Sequence, residues 1–189
     1  MNKYIIIPIG TPGIGKTILG KMLINHFGDN SVNCAVQSFS GDDYGLDKFF
    51  EMLNADSINM EIMSESKEKK CYVTYIDRCH MLRRSRNEIM EIYNKHNKNV
   101  KYIFIDFINS NSKIKIEITA LERIKNRPVE GQNLKYNALS NGFVVKKIIH
   151  KKMLEYEAPT YEEKYFKLIN VNIWKHVDTI FKYVLSHIK

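Results

Sequence analysis

Apolar residues fall into runs of two kinds along this chain. Residues 4 to 9, Tyr-Ile-Ile-Ile-Pro-Ile, are a largely β-branched stretch that stops at Gly10, which predicts a strand buried on both faces. From Thr17 to about Phe27 the apolar positions Ile18, Leu19, Met22, Leu23 and Phe27 recur at helical spacing, and Gly28 follows as a stop. A second strand is predicted near Ala35 to Phe39, ending in the polar turn Ser40-Gly41-Asp42-Asp43, and residues 46 to 53 read as helix. Ser64 to Lys70 reads as a solvated loop or helix end. Cys71 to Ile76 supplies a third strand running into Asp77, and Ile89, Met90 and Tyr93 mark one face of a helix over residues 86 to 95. Lys101 to Phe107 supplies a fourth strand. The segment from Ile114 to Asn126 reads as a charged helix, and Trp174 to Ile188 as a closing helix with Val177, Ile180, Phe181, Val184 and Leu185 inward. Residues 142 to 173 show no period that assigns them.

Strands that alternate with helices imply a parallel sheet, because two parallel neighbours cannot be joined by a tight turn. The expected fold class is therefore α/β, a three-layer arrangement around a central parallel sheet. With 189 residues, 44% of them hydrophobic, the chain can enclose one sizeable core but is short for two. A single domain over residues 1–189 is expected.

Gly10-Thr11-Pro12-Gly13-Ile14-Gly15-Lys16-Thr17 satisfies G-x-x-x-x-G-K-[ST] and lies between a predicted strand and a predicted helix, the context such a match requires. The glycines let the backbone wrap an anion closely, with consecutive N–H groups and the positive end of the next helix aimed at a β-phosphate. Lys16 is placed to bridge β- and γ-phosphates, and the Thr17 hydroxyl to ligate Mg²⁺ or Mn²⁺. The fold class sharpens to a P-loop NTPase/kinase. This cradle is shared by ATPases, GTPases and kinases, so the class of reaction must come from the other strand ends.

Transfer to an alcohol needs a carboxylate that meets the acceptor hydroxyl. Asp42 and Asp43 follow the second strand, whose carboxyl end opens on the same crevice as the phosphate loop. Asp42 is the candidate general base and Asp43 an acceptor-side neighbour; the alternative is an acidic turn that caps the next helix. Asp77 ends the third strand, where a carboxylate reaches the metal through water. An ATP-hydrolysing motor would often carry a second acid next, and this chain has Arg78. Leu82-Arg83-Arg84-Ser85-Arg86 then concentrates guanidinium groups, from which Arg83 and Arg86 are selected as acceptor-phosphate contacts. Arg123 and Arg127 lie four apart just before Pro128, the arrangement of a lid over residues 112 to 135 that carries positive charge over the γ-phosphate. The alternative is a basic surface helix.

Lys3 to Thr17 with Gly41-Asp42-Asp43-Tyr44 resembles the start of bacteriophage-type polynucleotide 5′-kinases. Ile76-Asp77-Arg78, the arginines after it and Arg123 to Leu134 are similar to the kinase domain of fungal-type tRNA ligases. The resemblance implies a 5′-hydroxyl RNA acceptor in tRNA splicing or RNA repair. It assigns Lys16 and Thr17 to phosphate and Mg²⁺, Asp42 to the base, Arg123 and Arg127 to the lid, and Gln132 to the donor nucleotide. Gly131 stands where the fungal pattern has His, and Gly45 where the phage pattern has an arginine three residues after the base. That family tends to use GTP, and Asn94-Lys95-His96-Asn97 only superficially echoes a guanine-reading motif, so GTP and ATP both stay open as donor. Fungal tRNA ligases flank this domain with ligase and phosphodiesterase domains, so a free-standing kinase or an excised domain is implied, with other RNA end-healing or ligase components as partners.

Composition adds three limits. The net charge is +8, from 29 Lys and Arg against 21 Asp and Glu, and the positives are scattered; that suits a polyanion, although a chain also rich in Asn and Ile can owe its lysines to genome composition. Cys34, Cys71 and Cys79 show no ligand spacing, so neither a disulfide nor a zinc site is expected. No apolar run is long enough for a signal segment or a membrane span, and an intracellular reducing compartment, cytoplasmic or nuclear, is expected. Two rival readings remain: a small-molecule kinase for a nucleoside or sugar, and a regulatory ATPase. The lone Trp174 and the late aromatics read as core.

Overall fold

The structure, a computed structural model, describes residues 1–29, 33–41, 45–66, 68–126 and 142–188. Its centre is a five-stranded parallel sheet. The strands are β1 (Asn2–Ile9), β2 (Cys34–Ser40), β3 (Cys71–Asp77), β4 (Val100–Asp106) and β5 (Lys167–Asn170), in the order β2-β3-β1-β4-β5. The helices among the described residues are α1 (Lys16–Gly28), α2 (Leu46–Ser66), α3 (Arg83–His96), α4 (Lys113–Lys125), α5 (Gly142–Leu154) and α6 (Val177–Ile188). No described helix is long and apolar enough to cross a membrane.

The run read as a doubly buried strand is one: Ile5, Ile6, Ile7 and Ile9 have no exposed surface. They can be apolar on both sides because helices cover both faces, as the alternation along β3 shows. The Tyr72 and Thr74 hydroxyls donate to the Asp56 carboxylate of α2 at 2.7 and 2.8 Å, and the Tyr93 hydroxyl of α3 joins them at 2.7 Å. Tyr75, one residue on, points the other way and donates to the Lys16 carbonyl of α1 at 2.7 Å. Burial pushes the Asp56 carboxyl up, while its three hydroxyl donors pull against that shift. A buried carboxylate with three donors is costly to disturb, and it fixes α2 and α3 to one face of the sheet.

Several expectations change. The helix predicted over residues 46–53 continues to Ser66, because Asp56 and Ser57 are buried by polar contacts that apolar periodicity does not register. β5 lies within residues 142–173, where the sequence shows no assigning period. The closing helix begins at Val177, and Trp174 lies before it, 55% exposed, with Tyr161 and Phe166 also exposed; these aromatics are not core. Ile18 of α1 is likewise exposed. Cys34 and Cys71, register partners at the amino ends of β2 and β3, lie side by side with Cα atoms 4.6 Å apart, within the range that a disulfide can span. Parallel pairing brings together residues that are 37 apart in sequence, which spacing alone does not reveal.

Gly20 is the contact that seats α1. A Cβ there would come within 2.4 Å of the Tyr75 ring. Gly20→Ala should therefore displace that ring and weaken its bond to Lys16, costing about 1–3 kcal/mol of stability in chemical denaturation. A variant as stable as the parent would show that the ring is not what holds the helix.

Candidate active site

All four long strands point their carboxyl ends to one edge, and the glycine turn stands in the middle of it. The Gly10 N–H donates to the Cys79 carbonyl at 3.0 Å and the Phe107 N–H to the Ile9 carbonyl at 3.0 Å, so the exits of β3 and β4 grip the start of the turn from either side. Gly13 and Gly15 adopt φ of 80° and 107°, a region that strains any L side chain. At Gly13 a Cβ would also meet the Ala120 carbonyl of α4 at 2.7 Å. The turn leads into the first turn of α1, whose unpaired N–H groups attract anions. Lys16 lies back across the loop, nearly buried, with Nζ 2.7 Å from the Thr11 carbonyl and 3.9 Å from Cys79 Sγ. Lys16 thus folds back to close the loop against its own first half.

The residues expected to hold a metal carry the donor chemistry for one. Thr17 is exposed at the start of α1. Asp77 is nearly buried at the end of β3, the strand directly beside β1 in the sheet, and pairs in register with Ser40. A hydroxyl and a carboxylate are hard oxygen donors, and Mg²⁺ bound through one or two protein oxygens plus substrate phosphates needs no larger cage. Thr11 offers a further sign that the loop suits an oxyanion: its hydroxyl is fully buried and makes no hydrogen bond within the protein.

On the acceptor side the arginines divide differently from the expectation. Arg86 is fully buried. Its Nε and Nη2 donate to the two Glu163 oxygens at 2.6 and 2.9 Å, Nη1 to the His80 and Met81 carbonyls at 3.0 and 3.2 Å, and Nη2 also to the Glu157 carbonyl at 3.0 Å. Arg86 is a strut that ties residues 157–163 to the β3–α3 turn, and it has no donor to spare for an acceptor phosphate. Arg83 is half-exposed and pairs with Glu162 at 3.1 Å, while Arg84 pairs with Glu88 at 2.9 Å. The open groove of about 780 Å³ beside them is lined by Arg83, Arg84 and Asn87 but also by Glu88, Glu91 and Glu157, two arginines against three carboxylates.

Arg78, which the sequence reading uses only against a hydrolytic motor and in the family resemblance, has a definite place at this edge. A Cβ on Gly41 would meet its Cδ at 2.8 Å, and its guanidinium lies 5.6 Å over the Phe49 ring of α2. Gly41 itself donates to the Asp77 carbonyl at 3.1 Å. Arg78 is therefore wedged between the end of β2, immediately before Asp42, and the carboxylate strand β3. Its sequence signal is the Asp77-Arg78 pair of the family resemblance, which by itself assigns Arg78 no contact.

Arg123 reaches the phosphate loop from α4, with Nη1 2.5 Å from the Ile14 carbonyl and Nη2 3.1 Å from the Ile173 carbonyl. Burial holds its pKa below the usual guanidinium value. Asn111 completes the same side, donating to the Phe107 and Val171 carbonyls at 3.1 and 2.9 Å. Asp42, Asp43, Arg127 and Gln132 lie outside the described residues. Asn94 and Asn97 sit at the far end of the sheet, where Asn97 accepts from Lys3 at 2.9 Å and Asn94 from Tyr102 at 2.8 Å, so they belong to the packing of α3.

The family described as tRNA ligase kinase domain matches residues 5–173 of this chain. No curated protein matches the sequence. Among solved structures, a fungal RNA kinase superposes with a TM-score of 0.75 at 18% identity, over 99% of this chain and 86% of its own. Kti12 of Chaetomium thermophilum, in complex with ADP-AlF3, gives 0.60 at 12% over 98% and 99%. A gluconokinase from Sinorhizobium meliloti 1021 gives 0.53 at 13% over 98% and 90%. At these identities the likeness establishes a shared P-loop kinase fold.

His80 sits under the loop in a left-handed turn, φ 42°, with Nε2 3.0 Å from the Ile76 carbonyl and Nδ1 3.3 Å from Ser85 Oγ. Burial, reinforced by Arg78, Lys16 and Arg86, pushes its pKa down from 6.5 to about 3. The unfolded chain therefore binds one more proton between those values. The stability His80 contributes is complete above about pH 6.5 and is lost progressively as pH falls toward 3. Between pH 6.5 and 5 the parent should lose up to about 1.4 kcal/mol per pH unit through this group, and His80→Gln should flatten that slope in denaturation curves. An unchanged slope would contradict the assignment.

Proposed function

The chain belongs to the tRNA ligase kinase domain family, and on that premise we propose that it transfers the γ-phosphate of GTP or ATP to the 5′-hydroxyl end of RNA, as a step of tRNA splicing or RNA repair. The observation that carries this reading is the common edge. The glycine turn, Asp77 and the β2 end that leads into Asp42 all open on the same side of one parallel sheet, with Arg78 between the last two. A donor held by residues 10–17 and an acceptor held beyond Gly41 would meet across that gap.

In this proposal main-chain N–H groups of the loop and Lys16 neutralise the β- and γ-phosphates, and Thr17 with Asp77 would hold Mg²⁺ or Mn²⁺, which when bound would supply further neutralisation of phosphate charge. Asp42 takes the proton of the 5′-hydroxyl as its oxygen bonds to the γ-phosphorus. The bond from that phosphorus to the β–γ bridging oxygen breaks, and the nucleoside diphosphate leaves. Arg78 binds the first acceptor phosphate, the role that the phage pattern gives to an arginine where this chain has Gly45. Asp43 and the half-exposed Arg83 flank that site, and Arg127 and Gln132 act from the lid on the donor. Other RNA end-healing components would supply the ligatable partner end.

The test is transfer of labelled γ-phosphate to 5′-hydroxyl RNA, with nucleosides, sugars and water as competing acceptors. Lys16→Ala and Asp42→Ala should each lower kcat by about 10²–10⁴. Arg78→Ala should raise the acceptor KM about tenfold while nucleotide binding, read from the lone Trp174, persists. Label on a sugar or released as free phosphate, with none on RNA, would contradict the proposal, and near-parental turnover by Asp42→Ala would remove Asp42 as the base.

A further inference from the structure

The acidic lining beside Arg83 and Arg84 leaves the surplus positive charge to be found elsewhere. Helix α5 reads Gly-Phe-Val-Val-Lys-Lys-Ile-Ile-His-Lys-Lys-Met-Leu, four lysines and a histidine without one acid. Val145, Ile149 and Met153, four apart, are buried and face inward. Lys146, Lys147, His150 and Lys151 are exposed on the opposite side, in two rows four residues long. Lys152, at the edge, pairs with Glu155 at 2.6 Å, and Lys146 reaches Glu117 only at 4.0 Å.

This helix is attached to two elements that border the phosphate loop. It packs on α4, which touches Gly13 and sends Arg123 to the Ile14 carbonyl. Beyond its last turn the Tyr156 hydroxyl donates to Asp106 at 2.6 Å and the Glu157 N–H to the Met81 carbonyl at 2.9 Å, at the exits of β4 and β3. The helix that carries this basic face is therefore tied, just past its last turn, to the exits of β3 and β4.

We propose that the exposed lysine face of α5 binds the sugar-phosphate backbone of the acceptor RNA beyond its 5′-terminal nucleotides. The proposal rests on the reading of RNA as acceptor. Lysines one helical turn apart, about 6 Å along the axis, are point charges that a flexible strand can follow without base recognition. An anionic membrane is the poorer occupant. A helix that lies in a bilayer surface must offer an apolar face to lipid, and the apolar face of α5 is already buried in the protein.

The experiment compares the parent with the triple variant Lys146→Glu, Lys147→Glu, Lys151→Glu, by anisotropy of labelled 5′-phosphorylated RNA across a salt series. Such RNA binds but cannot accept, so the result is independent of transfer. For RNA of about 20 nucleotides the variant should bind at least about tenfold more weakly, and the slope of log K against log salt should flatten by about 2, which is 0.7 for each of the cations removed. Trinucleotide affinity and the Trp174 response to nucleotide should match the parent. Equal affinity for the long RNA at every salt concentration would overturn the proposal. So would an equal loss for the trinucleotide, or a loss confined to vesicles of phosphatidylserine. A parent that binds long RNA through α5 yet transfers no phosphate would instead sink the functional reading and leave this surface standing.

Discussion

The guanidinium of Arg123 is the interaction on which the site depends. Main-chain amides select an anion only if they are held in place, and a glycine-rich turn has little stiffness of its own. Arg123 binds the Ile14 carbonyl in the middle of the turn and the Ile173 carbonyl in the loop after β5, so one side chain joins the phosphate loop to the far edge of the sheet. The grip of Cys79 and Phe107 on the start of the turn, and of Tyr75 on the Lys16 carbonyl, complete the mounting. Pre-organisation of this kind places the donors before substrate arrives, which is where electrostatic catalysis gains most. Arg123 therefore has a structural duty beside any contact a lid could make with the γ-phosphate.

Charge in this molecule is spent in two ways. Arg86 is consumed inside the protein, where Glu163 and three carbonyls satisfy it and residues 157–163 are fastened to the β3–α3 turn. A buried pair of this type owes its value to position more than to net stability, since desolvation offsets much of the attraction. Arg83 and Arg84 are screened by glutamates at the surface. Arg78 beside the turn after β2 and the exposed lysines of α5 are two further places of positive charge among the described residues, and they differ in kind: one guanidinium over an aromatic ring, and two rows of ammonium groups on a helix.

The legible part of the sequence was the local part. β1, the glycine turn and α1 follow from β-branched residues, three glycines and a 3.6-residue period within the first twenty-eight positions, and the structure places them as read. β3 and β4 were equally plain, because strands buried on both faces are written as unbroken apolar runs. β5 is four residues long with Lys167 and Asn170 at its ends, too short and too mixed to register. The burial of Arg86 was invisible because its partner Glu163 lies 77 residues away, and an arginine in a basic run looks the same whether it faces solvent or a carboxylate. The place of Arg78 between the end of β2 and the Phe49 ring is a tertiary contact, which its position next to Asp77 does not reveal. The family resemblance carried by Asp77-Arg78 and the lid residues pointed to the group of proteins that the match over residues 5–173 then established.

The most direct measurement is donor affinity and Trp174 emission for Arg123→Ala, before and after nucleotide is added. If the Arg123 bridge holds the phosphate loop, the variant should bind nucleotide at least about tenfold more weakly, the loss of two charge-assisted hydrogen bonds. Its Trp174 emission should already differ from the parent without nucleotide, because the loop after β5 has lost its tie. A variant that binds nucleotide as tightly as the parent, with unaltered emission, and loses only kcat would contradict the account and leave Arg123 as a lid residue alone.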